Sequence, residues 1–201
     1  MKQLLIIVTS LIIFNSCGNN LKSTENKNTT TVNDDYEYID PEPEFAHETA
    51  KEIMNEDFFW SPIEETGPFG SDAGSDCFYI YSEWLNSNPT GTGMDFLKEH
   101  LEESQFPTFD FETTQNKDVE KLLDETPIYD VISIDNIIIS IVFTQLFHNG
   151  KVEKESLELA EKAVKRQLST HIVDEYREDY IDTRRTQLNK ILTALNKIPT
   201  K

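Results

Sequence analysis

Cysteine is nearly missing from this chain: 201 residues hold only Cys17 and Cys77. Cys17 belongs to the N-terminal signal described below, so no disulfide framework staples the fold. Four histidines, His47, His100, His148 and His171, are scattered without the spacing of metal ligands. There is no HExxH, no pair of CxxC motifs, no phosphate-cradling glycine loop and no nucleophile elbow. Cations are scarce as well, 18 Lys+Arg against 37 Asp+Glu, for a formal net charge of −19. Nucleic-acid binding rests on neutralised phosphates, so this charge argues against it. An anionic membrane surface also repels such a protein, whereas a cationic protein partner fits it. No cofactor is expected.

What the chain does have begins with Lys2 and the apolar run Leu4 to Phe14, a signal peptide in length and order. As a helix at ~1.5 Å per residue it spans roughly 16 Å, too short for the ~30 Å hydrocarbon core. Phe14-Asn15-Ser16-Cys17 resembles a bacterial lipobox, Ser16 and Cys17 matching its end. The resemblance implies loss of residues 1–16 and acylation of Cys17, by palmitate or similar chains. It also implies a mature chain anchored by lipid to the membrane of the cell envelope. Gly18, where an Asp would retain a lipoprotein in the inner membrane, leans towards the outer membrane. Residues 17–44 read as a lipidated, flexible tether of Asn, Thr, Lys, Glu and Ser, too polar to bury a core. A coil of ~26 residues spans about 28 Å end to end.

Residues 45–198 read as one helical domain. From Asp34 to Glu65 acids crowd against a single Lys51. That run is either a solvated, self-repelling lead-in or a strip for a cation or a partner. Ala46, Ala50, Ile53 and Met54 predict a short helix over 45–59, closed by Phe58, Phe59 and Trp60. The stretch from Thr66 to Leu85 organises the rest. Gly67, Pro68 and Gly70 form a turn, and Ser71 or Asp72 caps a helix. Ala73, Cys77, Ile80 and Trp84 predict its apolar face, and Gly74 leaves room for a neighbouring helix. Met94, Leu97 and Leu101 mark a helix ending near Ser104. Residues 106–111 read as an extended loop or an edge strand, and Val119, Leu122 and Leu123 mark a short helix. The run from Ile128 to Phe147 is apolar nearly all round. β-Branched residues there favour two strands, but Thr126-Pro127 in front and Gly150 behind suit a helix, so a buried central helix is expected. Asp130, Asp135, Asn136 and Gln145 argue against a membrane span. Two further helices follow: Leu157, Ala160, Val164, Leu168 and Ile172 line one, and Tyr176, Tyr180, Leu188, Ile191, Leu195 and Ile198 line the other, with a kink near Asp182. The acidic lead-in is expected to pack on these more basic helices.

Only one constellation suggests chemistry. Asp72 and Asp76 lie four apart on one helix face, and with Glu64, Glu65 or Asp57 they could bind Ca²⁺ or Mg²⁺. A cap at Asp72 and an ordinary polar contact at Asp76 explain them equally. Cys77, on an apolar face, reads as a buried inert thiol. Trp60, Gly67, Phe69, Ser71, Asp72 and Asp76 together resemble the signature of domain-of-unknown-function family 4259, with Gly74 where that pattern has Ala. The resemblance implies a helical fold and no activity. The sequence thus predicts an all-α domain, a small multi-helix bundle carrying Trp84 on its nucleating helix. The expected function is a non-catalytic binding or interaction module of the cell envelope, immunity-like in that an acidic surface meets a basic partner. The alternative is a metal-assisted hydrolase using Asp72 and Asp76.

Overall fold

The computed structural model describes residues 39–201, so the signal of residues 1–16, Cys17 and most of the 17–44 tether lie outside the described residues. At the centre is α5, Ile128–Asn149, which follows α1, Glu48–Ile53; α2, Asp72–Ser87; α3, Gly93–Glu103; and α4, Asn116–Glu125. After it come α6, Lys154–Gln167; α7, Thr170–Val173; and α8, Glu178–Leu195. Single 3₁₀ turns stand at Pro43–Phe45 and Asp57–Phe59, and no strand is formed among the described residues. The fold is all-α: residues 106–111 are a loop, and the strand alternatives for 106–111 and 128–147 fall away.

The apolar circumference of α5 dictates the arrangement. Every residue from Ile137 to Phe147 is buried, because α2 and α6 lie along the helix while α1 and α3 cover its remaining flanks. α8 packs outside α6, and α4 with α7 forms a smaller satellite. By length and composition α5 could cross a bilayer, but its surface is covered by protein and Asp135 lies fully buried within it.

Several expected boundaries shift. The 45–59 helix is broken into two 3₁₀ turns and α1. The His47 amide donates to the Phe147 carbonyl at 2.8 Å, docking the chain on the end of α5, and the helix can begin only after that contact. Trp60 Nε1 then donates to the Met54 carbonyl at 2.6 Å, fixing the reversal. Pro127 is the N-cap of α5 rather than its first helical residue, while Thr126 closes α4. Gly150 takes the left-handed conformation, φ +68°, behind α5. The stripe through Ile172 is split, since α6 stops at Gln167 and Ile172 belongs to α7. α8 starts after Tyr176, ends before Ile198 and runs unbroken through Asp182.

The face of α2 is also rotated. Gly74, Cys77, Phe78, Tyr81 and Ser82 are buried, whereas Ile80 is 45% exposed. Phe78 sets this register by packing edge-on against Phe69 and Phe147, at centroid distances of 5.0 and 5.2 Å. The space at Gly74 is taken by the preceding turn rather than by a helix, since a Cβ there would stand 2.6 Å from the Pro68 carbonyl oxygen; α5 meets Gly74 through Ser140 Oγ, which donates to its carbonyl at 2.7 Å.

One ion pair lies inside this core. Arg166 on α6 grips Asp135 on α5 at 2.6 Å, both side chains fully buried. Its other nitrogen donates to the carbonyls of Phe111 and Thr113, at 3.0 and 2.8 Å, pinning the loop between α3 and α4. Burial pushes the Asp135 carboxyl up to about 7, against the pull of the guanidinium. The aspartate can take a proton if left alone; the arginine cannot lose one. Asp135→Asn therefore strands a buried cation and lowers the unfolding free energy by about 3–5 kcal/mol. Urea denaturation followed by circular dichroism reads this, and adding Arg166→Met to that variant should recover part of the loss.

Candidate functional site

A cleft of about 740 Å³ opens where the turn before α2, the first turns of α5 and the α7–α8 connection meet. Each wall follows from local sequence. Gly70 winds the turn so tightly that a Cβ there would stand 2.1 Å from the Glu64 carbonyl oxygen. Ser71 then caps α2, its hydroxyl accepting from the Gly74 amide at 3.1 Å, so the start of α2 faces the cleft with its first amides free of intrahelical partners. Across it, Ile128, Ile132, Ser133 and Asn136 come from α5.

The mouth is apolar and aromatic. Ile63 is 84% exposed and Tyr129 80% exposed, and both line the opening. Around them stand Glu65, Asp72 and Glu175, all exposed and none in an ion pair among the described residues. Arg177, also on the rim, is engaged with Asp179 at 2.9 Å.

Beneath lies Arg184, 1% exposed. On α8 it occupies the register of Leu188, Ile191 and Leu195, the stripe that faces the core. Its Nη2 donates to Gln167 Oε1 at 2.7 Å and its Nη1 to Thr66 Oγ1 at 3.2 Å. The Tyr176 ring covers the guanidinium at 3.9 Å. Nε has no acceptor. Unlike Arg166, this cation has no carboxylate in ion-pair contact among the described residues, and burial lowers its pKa. Gln167 in turn receives order from Asn136, donating to it at 2.9 Å, so the hydrogen-bonded chain links α5, α6 and α8 under the cleft.

The residues singled out from sequence are distributed as follows. Asp72 lies on the cleft rim, and Asp76, one turn on, is exposed outside it. Among the described residues no three His, Cys, Asp or Glu side chains converge as a metal site. Gly67 packs under the turn, where a Cβ would approach the Phe58 carbonyl oxygen to 2.9 Å, and Phe69 is buried against Phe78. Trp84 Nε1 donates to Glu99 at 2.8 Å, on the far part of α2. Cys17 is outside the described residues. The acidic lead-in does reach α8: Glu56 pairs with Lys190, and Gln187 Nε2 donates to Glu64 at 2.7 Å. Arg184 and Arg166 were missed. The signal was available, a cation in register with an apolar stripe at spacings of four and three.

His47 caps α1, its Nδ1 accepting from the Thr49 amide at 3.1 Å. His100 stacks on Phe96, and His171 lies in α7. His148 Nε2 is 2.8 Å from Ser82 Oγ, the spacing of a nucleophile and its base, but no carboxylate is bonded to the other ring nitrogen among the described residues. The pair reads as a satisfied polar contact.

Cys77 is 1% exposed, and burial raises its thiol pKa to about 12. In the full chain carrying Cys17→Ser, Ellman's reagent at pH 8 should leave folded protein unlabelled and react at once after unfolding in urea. Burial lowers the pKa of His148, so the folded protein favours the neutral ring. The stability this packing contributes is complete above the ordinary value of ~6.5 and is lost as pH falls below it. Accordingly, the His148 ring should titrate below 6.5 by NMR, and His148→Gln should reduce the stability lost between pH 7 and 5.5. No protein-family model matches the chain, and neither curated proteins nor solved structures give a match to it.

Proposed function

We propose that this protein is a non-catalytic binding module of the cell envelope, held by acyl chains on Cys17 and presenting its helical domain on the tether of residues 17–44. The observation that carries the binding reading is the mouth of the cleft, where Ile63 and Tyr129, 84% and 80% exposed, stand among the carboxylates of Glu65, Asp72 and Glu175, none in an ion pair among the described residues. Exposed large apolar side chains rimmed by charge are the usual face of an interaction site. The sign of that charge, and of the whole chain at −19, selects a basic protein partner. An immunity-like role, masking a cationic toxin, is one form of the same reading. The resemblance to domain-of-unknown-function family 4259 adds a helical domain and no chemistry.

The location follows from Ser16-Cys17 and Gly18, which favour an outer-membrane lipoprotein. The metal-assisted hydrolase draws no support from the rim, because Asp72 and Asp76 do not share the cleft and no third ligand joins them among the described residues.

Cells fed an alkyne-bearing palmitate analogue should incorporate it into the chain and lose the label with Cys17→Ala. A photo-crosslinking amino acid at position 129 should then trap one basic protein repeatedly, while the same group at Glu83, on α2 outside the cleft, should not. A chain that stays unlabelled and soluble would remove the anchoring half of the proposal. Equal capture from both positions would remove the binding half.

A further inference from the structure

We infer that the cleft recognises the free C-terminal carboxylate of a basic peptide or protein segment, drawn by Arg184 beneath its floor. The inference rests on reading the cleft as the binding surface and specifies which part of the partner enters.

Arg184 is the reason. A guanidinium 1% exposed costs several kcal/mol in lost hydration unless a carboxylate or a full set of acceptors repays it. Arg166, two elements away, shows the ordinary solution, a buried carboxylate at 2.6 Å. Arg184 instead has two neutral acceptors, Thr66 and Gln167, an aromatic cover and an idle Nε. The carboxylates of Glu65 and Asp135 steady it only from a distance, so an oxyanion at Nε would complete its set of acceptors. The start of α2 lies on the same cleft, with Ser71, Asp72 and Ala73 in its wall, and its positive end favours a negative ligand group there. Asn136 and Ser133 add neutral polar groups on the α5 side.

The rim has the opposite demand. Glu65, Asp72 and Glu175 repel a simple anion and attract a cation. A ligand that satisfies both needs one oxyanion at its tip and positive charge behind it, with apolar surface between for Ile63, Tyr129 and Ile132. A peptide chain ending in an apolar residue and preceded by lysine or arginine has this order. Inorganic phosphate has the tip alone. The volume of about 740 Å³ lies within the range of small-ligand sites, roughly 300–1,000 Å³, and suits two or three residues rather than a folded domain.

The test uses the full lipidated chain in nanodiscs and isothermal titration calorimetry. The probes are N-acetylated tripeptides, two lysines followed by leucine, made as the free acid and as the C-terminal amide, with inorganic phosphate as competitor. The expected result is that the free acid binds about tenfold or more tightly than the amide, as a charge-assisted hydrogen bond would give. Tyr129→Ala, at an exposed position, should weaken both peptides, and Arg184→Lys should narrow the gap between acid and amide. Replacing the lysines of the probe by glutamates should abolish binding. Equal affinity of acid and amide overturns the inference while leaving a basic partner on the rim. Binding of neither peptide overturns it as well, and crosslinking from position 129 then decides the broader reading separately. Displacement of the acid by phosphate at equal concentration would reassign the floor to oxyanions in general and overturn the peptide assignment. If Arg184→Lys fails to fold, the acid–amide comparison on the unaltered protein still decides.

Discussion

A helix that is apolar on every side cannot sit at the surface, and α5 is such a helix. Its run from Ile137 to Phe147 leaves no strip for water, so each of its sides must be covered by another element. Four helices do this, and the connections between them follow as consequences. The chain before α1 gives the His47 amide to the Phe147 carbonyl, one of the last-turn acceptors a helix cannot satisfy itself. Gly150 turns the chain with φ +68° so that α6 can run back along the helix it has just left. After α8 the tail returns too, the Val152 amide donating to the Pro199 carbonyl at 3.0 Å and the Lys201 amide to the Val152 carbonyl at 2.9 Å.

A fully covered helix has a cost where its sequence is polar. Asp135 and Asn136 face α6, and each demands a partner. Arg166 answers the first and Gln167 the second, successive residues on α6 meeting successive residues on α5. The two solutions differ in kind. The Asp135–Arg166 pair closes on itself and on two loop carbonyls, so it fixes the loop between α3 and α4 and leaves nothing over. The Asn136–Gln167 contact stays open, because Gln167 still has an oxygen to offer, and Arg184 takes it. A cation is thereby built into the core by a neutral chain. No carboxylate among the described residues pairs with it directly, although Glu65 and Asp135 act on it from a distance.

Much of this was legible. Helices were signalled wherever an apolar stripe and an end signal agreed: Ser71 before α2 and Gly150 behind α5. The choice of helix over strands for 128–147 held because no turn residue interrupts it. What was not legible depended on contacts between distant segments. The face of α2 reads equally well through Ile80 and Trp84 or through Phe78 and Tyr81. The packing of Phe78 between Phe69 and Phe147 decides it, and neither neighbour can be located from the helix alone. The break in 45–59 arises in the same way, from a hydrogen bond to a residue about a hundred positions on. The pairing of Asp72 with Asp76 was correct as helical spacing and carried no information about what lies opposite them.

The cleft was invisible for a further reason. Its chemistry lies in a departure from pattern, an arginine in a leucine stripe, while its surroundings are ordinary for so acidic a chain. Electrostatics makes the combination selective. A positive group set below a negative rim attracts neither simple anions nor simple cations strongly, since each meets repulsion on the way in or at the end. A ligand with both signs in the right order meets neither. A water-excluded floor also strengthens any charge contact made there relative to the rim. Under the proposed reading, the rim would set how quickly a basic partner arrives, while the floor would set which end of it stays.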